Sequence, residues 1–330
     1  MNDVARVAGV SLKTVSRVVN GEAGVHPSTA HRVLAAIDHL GFRRNLGARN
    51  LRRGSTTGTI GLVVEDISNP FYSALNRAVE QVARDSGRYV LTASSGQDPD
   101  AERELVLEFC SRRVDGLIVV PAGAAHGYLL PEVRAGTPVV FVDRPPGDIA
   151  ADLVLVDNAG GMRQAVRHLA DYGHRRIAFL GDAPTIFTAV QRLHGFRDGC
   201  VAAGIGYDEE LVVLGPADAG RVDTALRRLL SGPSPVTAVI TGNNLITVHA
   251  LRALNALAAG SRRPALIGFD DIDLADLLTP PVSVIAQDAA ALGRTAAELL
   301  LARLGGDDSP PHRVTLPVRL VARGSAEVRP

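Results

Sequence analysis

Residues 8–20 read AGVSLKTVSRVVN and hold Lys13, the only lysine in a chain of 330 residues. Val4, Ala5 and Ala8 recur at helical spacing, which predicts a short helix over residues 3–8. Gly9 breaks it, because the turn needs a residue that tolerates positive φ. Ser11 is placed to cap a second helix by accepting from the open N–H groups at its start. That helix runs to about Val19, turns Val15, Val18 and Val19 inward, and ends at Asn20-Gly21. A third starts near Pro27, a residue suited to a first helical turn, and runs through Val33, Leu34, Ile37 and Leu40 to Gly41. Two short helices joined through Ala-Gly-Val-Ser match a helix-turn-helix, although a helical hairpin inside a larger domain gives the same pattern. In a helix-turn-helix the second helix enters the major groove by its N-terminal residues, here Leu12, Lys13, Ser16 and Arg17. Lys13 and Arg17 are four apart and share a face. A basic side chain can donate to guanine O6 and N7, and Leu12 can touch a thymine methyl. Thr14 and the helix N-terminus suit a phosphate, and Asn20 completes the candidate DNA-facing set.

Charge supports a polyanionic partner for this segment. Residues 1–53 carry nine Lys or Arg against three acids, a net +6, while the remainder has 26 against 32, a net −6. A basic head on an acidic body is expected where only the head meets nucleic acid. At 46% hydrophobic residues the chain suits two or three domains. Cys110 and Cys200 lie in apolar runs with no metal-ligand spacing, and the expectation is two buried thiols in a reducing cytoplasm. Neither a membrane span nor a secretory leader is expected, and no cofactor or metal is implied.

Residues 46–57, LGARNLRRGSTT, are basic and then rich in Gly, Ser and Thr, which suits a connector between residues 1–45 and 58–330. From Gly58 onward strand-like runs alternate with amphipathic helices. Strands are expected at 59–64, 88–93, 116–120, 139–142, 176–180, 237–241 and 264–268. Helices are expected at 72–86, 101–112, 161–172, 190–203, 222–230, 246–257 and 290–304. This alternation predicts parallel sheets covered on both faces. The strands are too many for one sheet, so two α/β lobes are expected: about 58–157 plus 286–311, and about 158–285 plus 312–330. A ligand in such a fold sits at the carboxyl ends of the strands.

DVARVAGVSLKTVSRVVNG (3–21) resembles the signature of the LacI/GalR family of bacterial transcriptional regulators. The likeness continues through VLAAIDHLGF, the Asn45-x-x-Ala48-Arg49-x-Leu51-Arg52 connector and IGLVVEDISNPFY (60–72). It resumes in PVVFVDRP, HLADYGHRRIAFLGD, Arg192-x-x-Gly195-Phe196, TGNNLITVHALRAL, LIGFDDIDLADLLTPP and VARGS, and so spans essentially the whole chain. The resemblance implies an all-α helix-turn-helix head on a body like periplasmic sugar-binding proteins. It implies a homodimer on a pseudo-palindromic double-stranded operator, acting in the family's usual mode as a repressor. The connector is then a hinge helix that forms on DNA, with Leu51 wedging into the minor groove, Arg49 in the DNA-binding set, and Arg52 and Arg53 as phosphate contacts. Arg44 stands where the family usually has Pro. Gly47 lies inside the hinge, where glycine costs about 1 kcal/mol against alanine. The chain starts only two residues before the first helix, so that helix is abbreviated or the start codon lies upstream. In the body the resemblance implies a small, sugar-like effector, with purine-type ligands on the same scaffold. Arg192 and Asp270 match its ligand-contacting pair. Phe71, Asp143, Arg144, Asn243 and Gln287 occupy other matching positions, whereas Asn244 stands where the family has Asp and is given no ligand role. The helix bearing Tyr72, Leu75 and Ala78 is expected to pair the protomers.

Two other classes are weighed. A solute-binding protein without a regulatory role predicts a signal peptide and no basic head. A sugar-modifying enzyme predicts a G-x-S-x-G elbow, a P-loop or a His/Asp metal cluster. With Lys13 the only lysine, no P-loop is possible. No catalytic residue is assigned, and the scattered histidines, His126 and His174 among them, are read as solvated or capping.

Overall fold

In this computed structural model the described residues are 1–42, 56–231, 233–257 and 263–330. The chain divides into two units, Met1–Thr57 and Gly58–Pro330.

The first unit holds α1 (Asn2–Ala8), α2 (Leu12–Val19) and α3 (Pro27–His39). Gly9 closes α1 at φ +63°, the left-handed conformation that favours glycine. Ser11 is the N-cap of α2, its Oγ accepting from the Thr14 N–H at 3.1 Å. Val4, Ala8, Val15, Val33 and Ala36 form a small core, flanked by Val10, Val18, Val19 and Ile37. Leu34 and Leu40 do not join it; they are 55% and 40% exposed, because the buried stripe of α3 runs through Val33, Ala36 and Ile37.

The second unit contains two six-stranded sheets of matching order. In the first, β1 (Thr59–Val64), β2 (Tyr89–Ser94), β3 (Gly116–Val119), β4 (Val139–Val142), β5 (Asp152–Val156) and β11 (Arg313–Leu316) lie in the order β11-β5-β4-β3-β1-β2, all parallel. In the second, β6 (Ile177–Gly181), β7 (Val212–Leu214), β8 (Ala238–Thr241), β9 (Ala265–Phe269), β10 (Ser283–Ala286) and β12 (Arg319–Val321) lie in the order β12-β10-β9-β8-β6-β7, with only β12 antiparallel. The chain therefore crosses between lobes three times. The last crossing falls between Leu316 and Arg319, later than the expected boundary at 311, because β11 pairs with β5 of the first lobe. Five strands were not anticipated: β5, β7, β10, β11 and β12.

Helices cover both faces: α4 (Pro70–Asp85), α5 (Pro99–Ser111), α6 (Leu130–Arg134), α7 (Asn158–Asp171), α8 (Phe187–Ala202), α9 (Ala219–Ser231), α10 (Asn244–Asn255) and α11 (Ala289–Leu304). The central strands β1, β3, β4, β6, β8 and β9 are almost wholly buried, as expected of parallel sheets with helices on both sides. Of the residues that marked the helix expected to pair the protomers, Tyr72 and Leu75 lie on the inner face of α4, buried in the core, so neither can touch another copy, while Ala78 is half-buried. Cys200 is buried but Cys110 is only half-buried. His126 and His174 are buried rather than solvated, each with both ring nitrogens hydrogen-bonded.

Candidate nucleic-acid interface and binding cleft

In the head, the cap at Ser11 fixes which residues α2 presents at its start. Leu12 is 49% exposed, and Lys13 and Arg17 are exposed beside it. Thr14 is half-buried, its Oγ1 2.9 Å from Ser11 Oγ. Ser16 Oγ accepts from Asn20 Nδ2 at 3.3 Å, and Asn20 Nδ2 also reaches Glu22 Oε1 at 3.1 Å. Arg17 Nε lies 3.9 Å from Glu22 Oε2 with both side chains close to half exposed, a weak surface pair that a stronger anion can displace. Leu12, Lys13 and Arg17 thus share an outward face, while Ser16 and Asn20 are tied to each other. Arg49, Leu51, Arg52 and Arg53, with Arg44 and Gly47, lie outside the described residues.

In the body, a cleft opens between the two lobes and is lined by all seven effector candidates. Its chemistry starts from a pattern that recurs at five strands, an apolar strand followed at once by an acid; after β5 the acid, Asp157, caps α7, and the other four line the cleft. β1 leads into Glu65, β4 into Asp143, β6 into Asp182 and β9 into Asp270. Since β1 and β6, and β4 and β9, hold equivalent places in the two sheets, the four carboxylates converge as two related pairs. Asp143 and Asp270 both sit at φ +70°, a conformation that costs a non-glycine residue free energy and is concentrated at functional sites.

Arg192 on α8 is 5% exposed. Its Nε donates to Asn158 Oδ1 at 2.7 Å, its Nη1 donates to the Gly242 carbonyl at 2.6 Å, and its guanidinium lies 3.8 Å from the Phe269 ring centre. Asp270 Oδ2 is 4.0 Å from Arg192 Nη1, and Asp270 also accepts from Gln287 Nε2. Burial pushes the Asp270 carboxyl above its usual range, with Arg192 and the Gln287 bond pulling the other way. Burial likewise raises Asp143, opposed by Arg144 and Arg192, and raises Asp182. Arg144 donates to Pro121 O at 3.1 Å, to Glu65 Oε2 and to Tyr72 OH at 3.3 Å. Phe71 stands edge-on to Tyr72 at 5.0 Å and offers an apolar wall. Asn243 spends both ends of its amide inside the protein: Oδ1 caps α10 at the Ile246 N–H and Nδ2 donates to Asp182 Oδ2, each at 2.8 Å.

Several residues of the cleft were not read from the sequence. Glu65 and Asp182 carry a signal in the strand-then-acid pattern, which also marks the helix cap Asp157. Asn158 had no such signal, since it matters only because Arg192 reaches it from another helix. Asn244, given no ligand role, lines the cleft and donates across it from Nδ2 to Asn69 Oδ1 at 2.7 Å, joining the two lobes directly.

A capped, outward-facing second helix and a two-lobed body with a buried polar cleft define a helix-turn-helix protein that carries a periplasmic-binding-protein-like domain. Residues 1–45 match the model of bacterial regulatory proteins of the lacI family, and residues 166–326 match that of the periplasmic binding protein-like domain. The HTH-type transcriptional regulator CelR of Thermobifida fusca is 35% identical, over 98% of this chain and 96% of that protein. A solved CelR–cellobiose complex has a TM-score of 0.72 at 33% identity, covering 98% of each chain. The lac repressor dimer bound to operator and the anti-inducer ONPF has a TM-score of 0.83 at 26% identity, covering 99% of this chain and 98% of that one. The chain belongs to the lacI family of bacterial regulatory proteins, which sets aside the reading as a solute-binding protein without a regulatory role.

Proposed function

We propose that this regulator represses transcription as a cytoplasmic homodimer, gripping a pseudo-palindromic operator with two heads and releasing or tightening that grip when a sugar-like effector enters the cleft. The observation that carries it is the pairing, in one chain, of an exposed basic helix start with a cleft of converging buried carboxylates and guanidinium groups. In the head, Leu12, Lys13 and Arg17 meet base edges, while Thr14 and the open N–H groups of α2 hold phosphate. Ser16 and Asn20 support that face through their mutual hydrogen bond. Arg49, Leu51 and Arg52 serve the connector, the leucine as a minor-groove wedge. In the cleft, Arg192 and Asp270 present a donor and an acceptor side by side for adjacent hydroxyls, Phe71 covers an apolar ring face, and Asp143 and Gln287 add acceptors. Arg144 and Asn243 hold the walls in place. The effector contacts both lobes, so it favours one lobe arrangement over the other by its differential affinity, and the hinge segments respond. The protomer-pairing surface lies elsewhere than Tyr72 and Leu75, which are buried.

The test is selection by the full-length protein from a randomised duplex pool. A two-fold symmetric sequence should be enriched, and binding to it should fall steeply as salt rises, since several phosphates are neutralised. A sugar that binds the protein should then change that affinity. Enrichment of no symmetric sequence, or an affinity indifferent to salt, refutes the proposal.

A further inference from the structure

We infer that the cleft takes an uncharged polyhydroxylated ligand and discriminates against sugars bearing a phosphate or a carboxylate. This rests on the cleft being the effector site proposed above. Four carboxylates line it, Glu65, Asp143, Asp182 and Asp270, against the two guanidinium groups of Arg144 and Arg192. Arg221, near Asp182, is tied to the carbonyls of Pro216, Val213 and Gly181. The N-termini of α4, α8 and α10 reach the cleft through Phe71, Thr188 and Asn244, each contributing roughly half a positive charge. The charges of the site therefore nearly balance before any ligand arrives, and a negative ligand has no surplus cation to meet.

The groups left unspent point the same way. Gln287 Oε1 is buried with no hydrogen-bond partner among the described residues, while the amide nitrogen is committed to Asp270. The Asp143 carboxylate, 4% exposed as a residue, accepts no hydrogen bond among the described residues, and its nearest cation is Arg144 Nε at 3.5 Å. Both are acceptors, so both require donors. A sugar hydroxyl donates; a phosphate dianion or a carboxylate cannot. Arg192 Nη2 makes no hydrogen bond among the described residues and remains to bond a hydroxyl oxygen. One nitrogen is not the bidentate fork that recognises a phosphate or carboxylate.

Isothermal titration of the full-length protein against matched pairs decides the matter: D-glucose with its 6-phosphate and with D-gluconate, D-ribose with its 5-phosphate, D-fructose with its 1-phosphate, and cellobiose with cellobionate. In any pair that binds, the uncharged member should be tighter by roughly 30-fold, because the charged group must shed its water with no surplus cation to take its place. Asp143→Asn exchanges a free acceptor charge for an amide, and asparagine tolerates the same positive φ. It should narrow the gap about tenfold. A phosphorylated or acidic member that binds as tightly as its partner overturns the inference and leaves the effector reading standing. A gap unchanged in Asp143→Asn overturns the role of that carboxylate. Silence from every member of every pair overturns the effector reading and this inference with it.

Discussion

Replacing Arg192 by methionine keeps the length and most of the packing of the side chain and removes its charge and donors. Arg192 is 5% exposed and supplies the donors to Asn158 Oδ1 and Gly242 O, which the substitution leaves as buried unsatisfied acceptors costing about 1–3 kcal/mol each. It also strips Asp270 of the guanidinium 4.0 Å away, leaving that buried carboxylate only Gln287 and a backbone N–H from Asn244. Removal of one partner of a buried pair typically costs about 3–5 kcal/mol, and that is the expected loss. It is read as the shift of the urea midpoint followed by circular dichroism, since the chain has no tryptophan. Two signatures separate this account from simple loss of packing. Adding Asp270→Asn removes the uncompensated charge, so the double variant should recover about 1–2 kcal/mol relative to the sum of the singles. The folded-state pKa of Asp270 is already raised by burial and rises further without Arg192. A carboxyl raised in the folded state destabilises when ionised, so the loss in Arg192→Met should shrink as pH falls through that folded value. A loss below about 1 kcal/mol, or strict additivity in the double variant, refutes the reasoning.

Three further outcomes are expected. Lys13→Ala should relax base preference at one symmetric pair of operator positions; a uniform loss across all sequences would make Lys13 a phosphate contact instead. His126 is buried with Nδ1 2.7 Å from Pro146 O and Nε2 2.8 Å from Glu102 Oε1, two acceptors that favour the imidazolium. Burial lowers its pKa, but the hydrogen bond and charge of Glu102, the Pro146 carbonyl and Asp148 together carry it above the usual value. Its stabilisation is therefore complete below about pH 6.5 and lost as pH rises through the folded value, so a urea-midpoint profile should decline there in the native protein and flatten in His126→Gln. A Cβ added at Gly293 would lie 2.3 Å from Leu75 O, backbone against backbone where α11 crosses α4. Gly293→Ala should therefore cost about 1–3 kcal/mol or more, and a thermal midpoint within 1–2 °C of the native value would argue that the helices part freely.

What the sequence settled by itself is local. Gly9 at positive φ and the Ser11 cap are backbone chemistry written within four residues, and they set the start of α2 and the outward place of Leu12 and Lys13. The same holds for the strand–helix alternation, because continuous apolar runs such as 59–64 and 139–142 carry their burial in their own composition. The short strands were not legible this way. β7 and β12 have three residues each, and β11 alternates in exposure; such segments extend only because a neighbour supplies their hydrogen-bond partners. For that reason only the tertiary structure placed β11 in the first lobe. It alone decided that Tyr72 and Leu75 face inward, that His126 and His174 are buried, and that Asn69 and Asn244 meet across the cleft. The cleft carries both kinds of information. An acid after each of four strands is visible in the chain, but their convergence on Arg192, Arg144 and Gln287 depends on three crossings between lobes and on the pairing order of two sheets, which no short stretch of sequence contains.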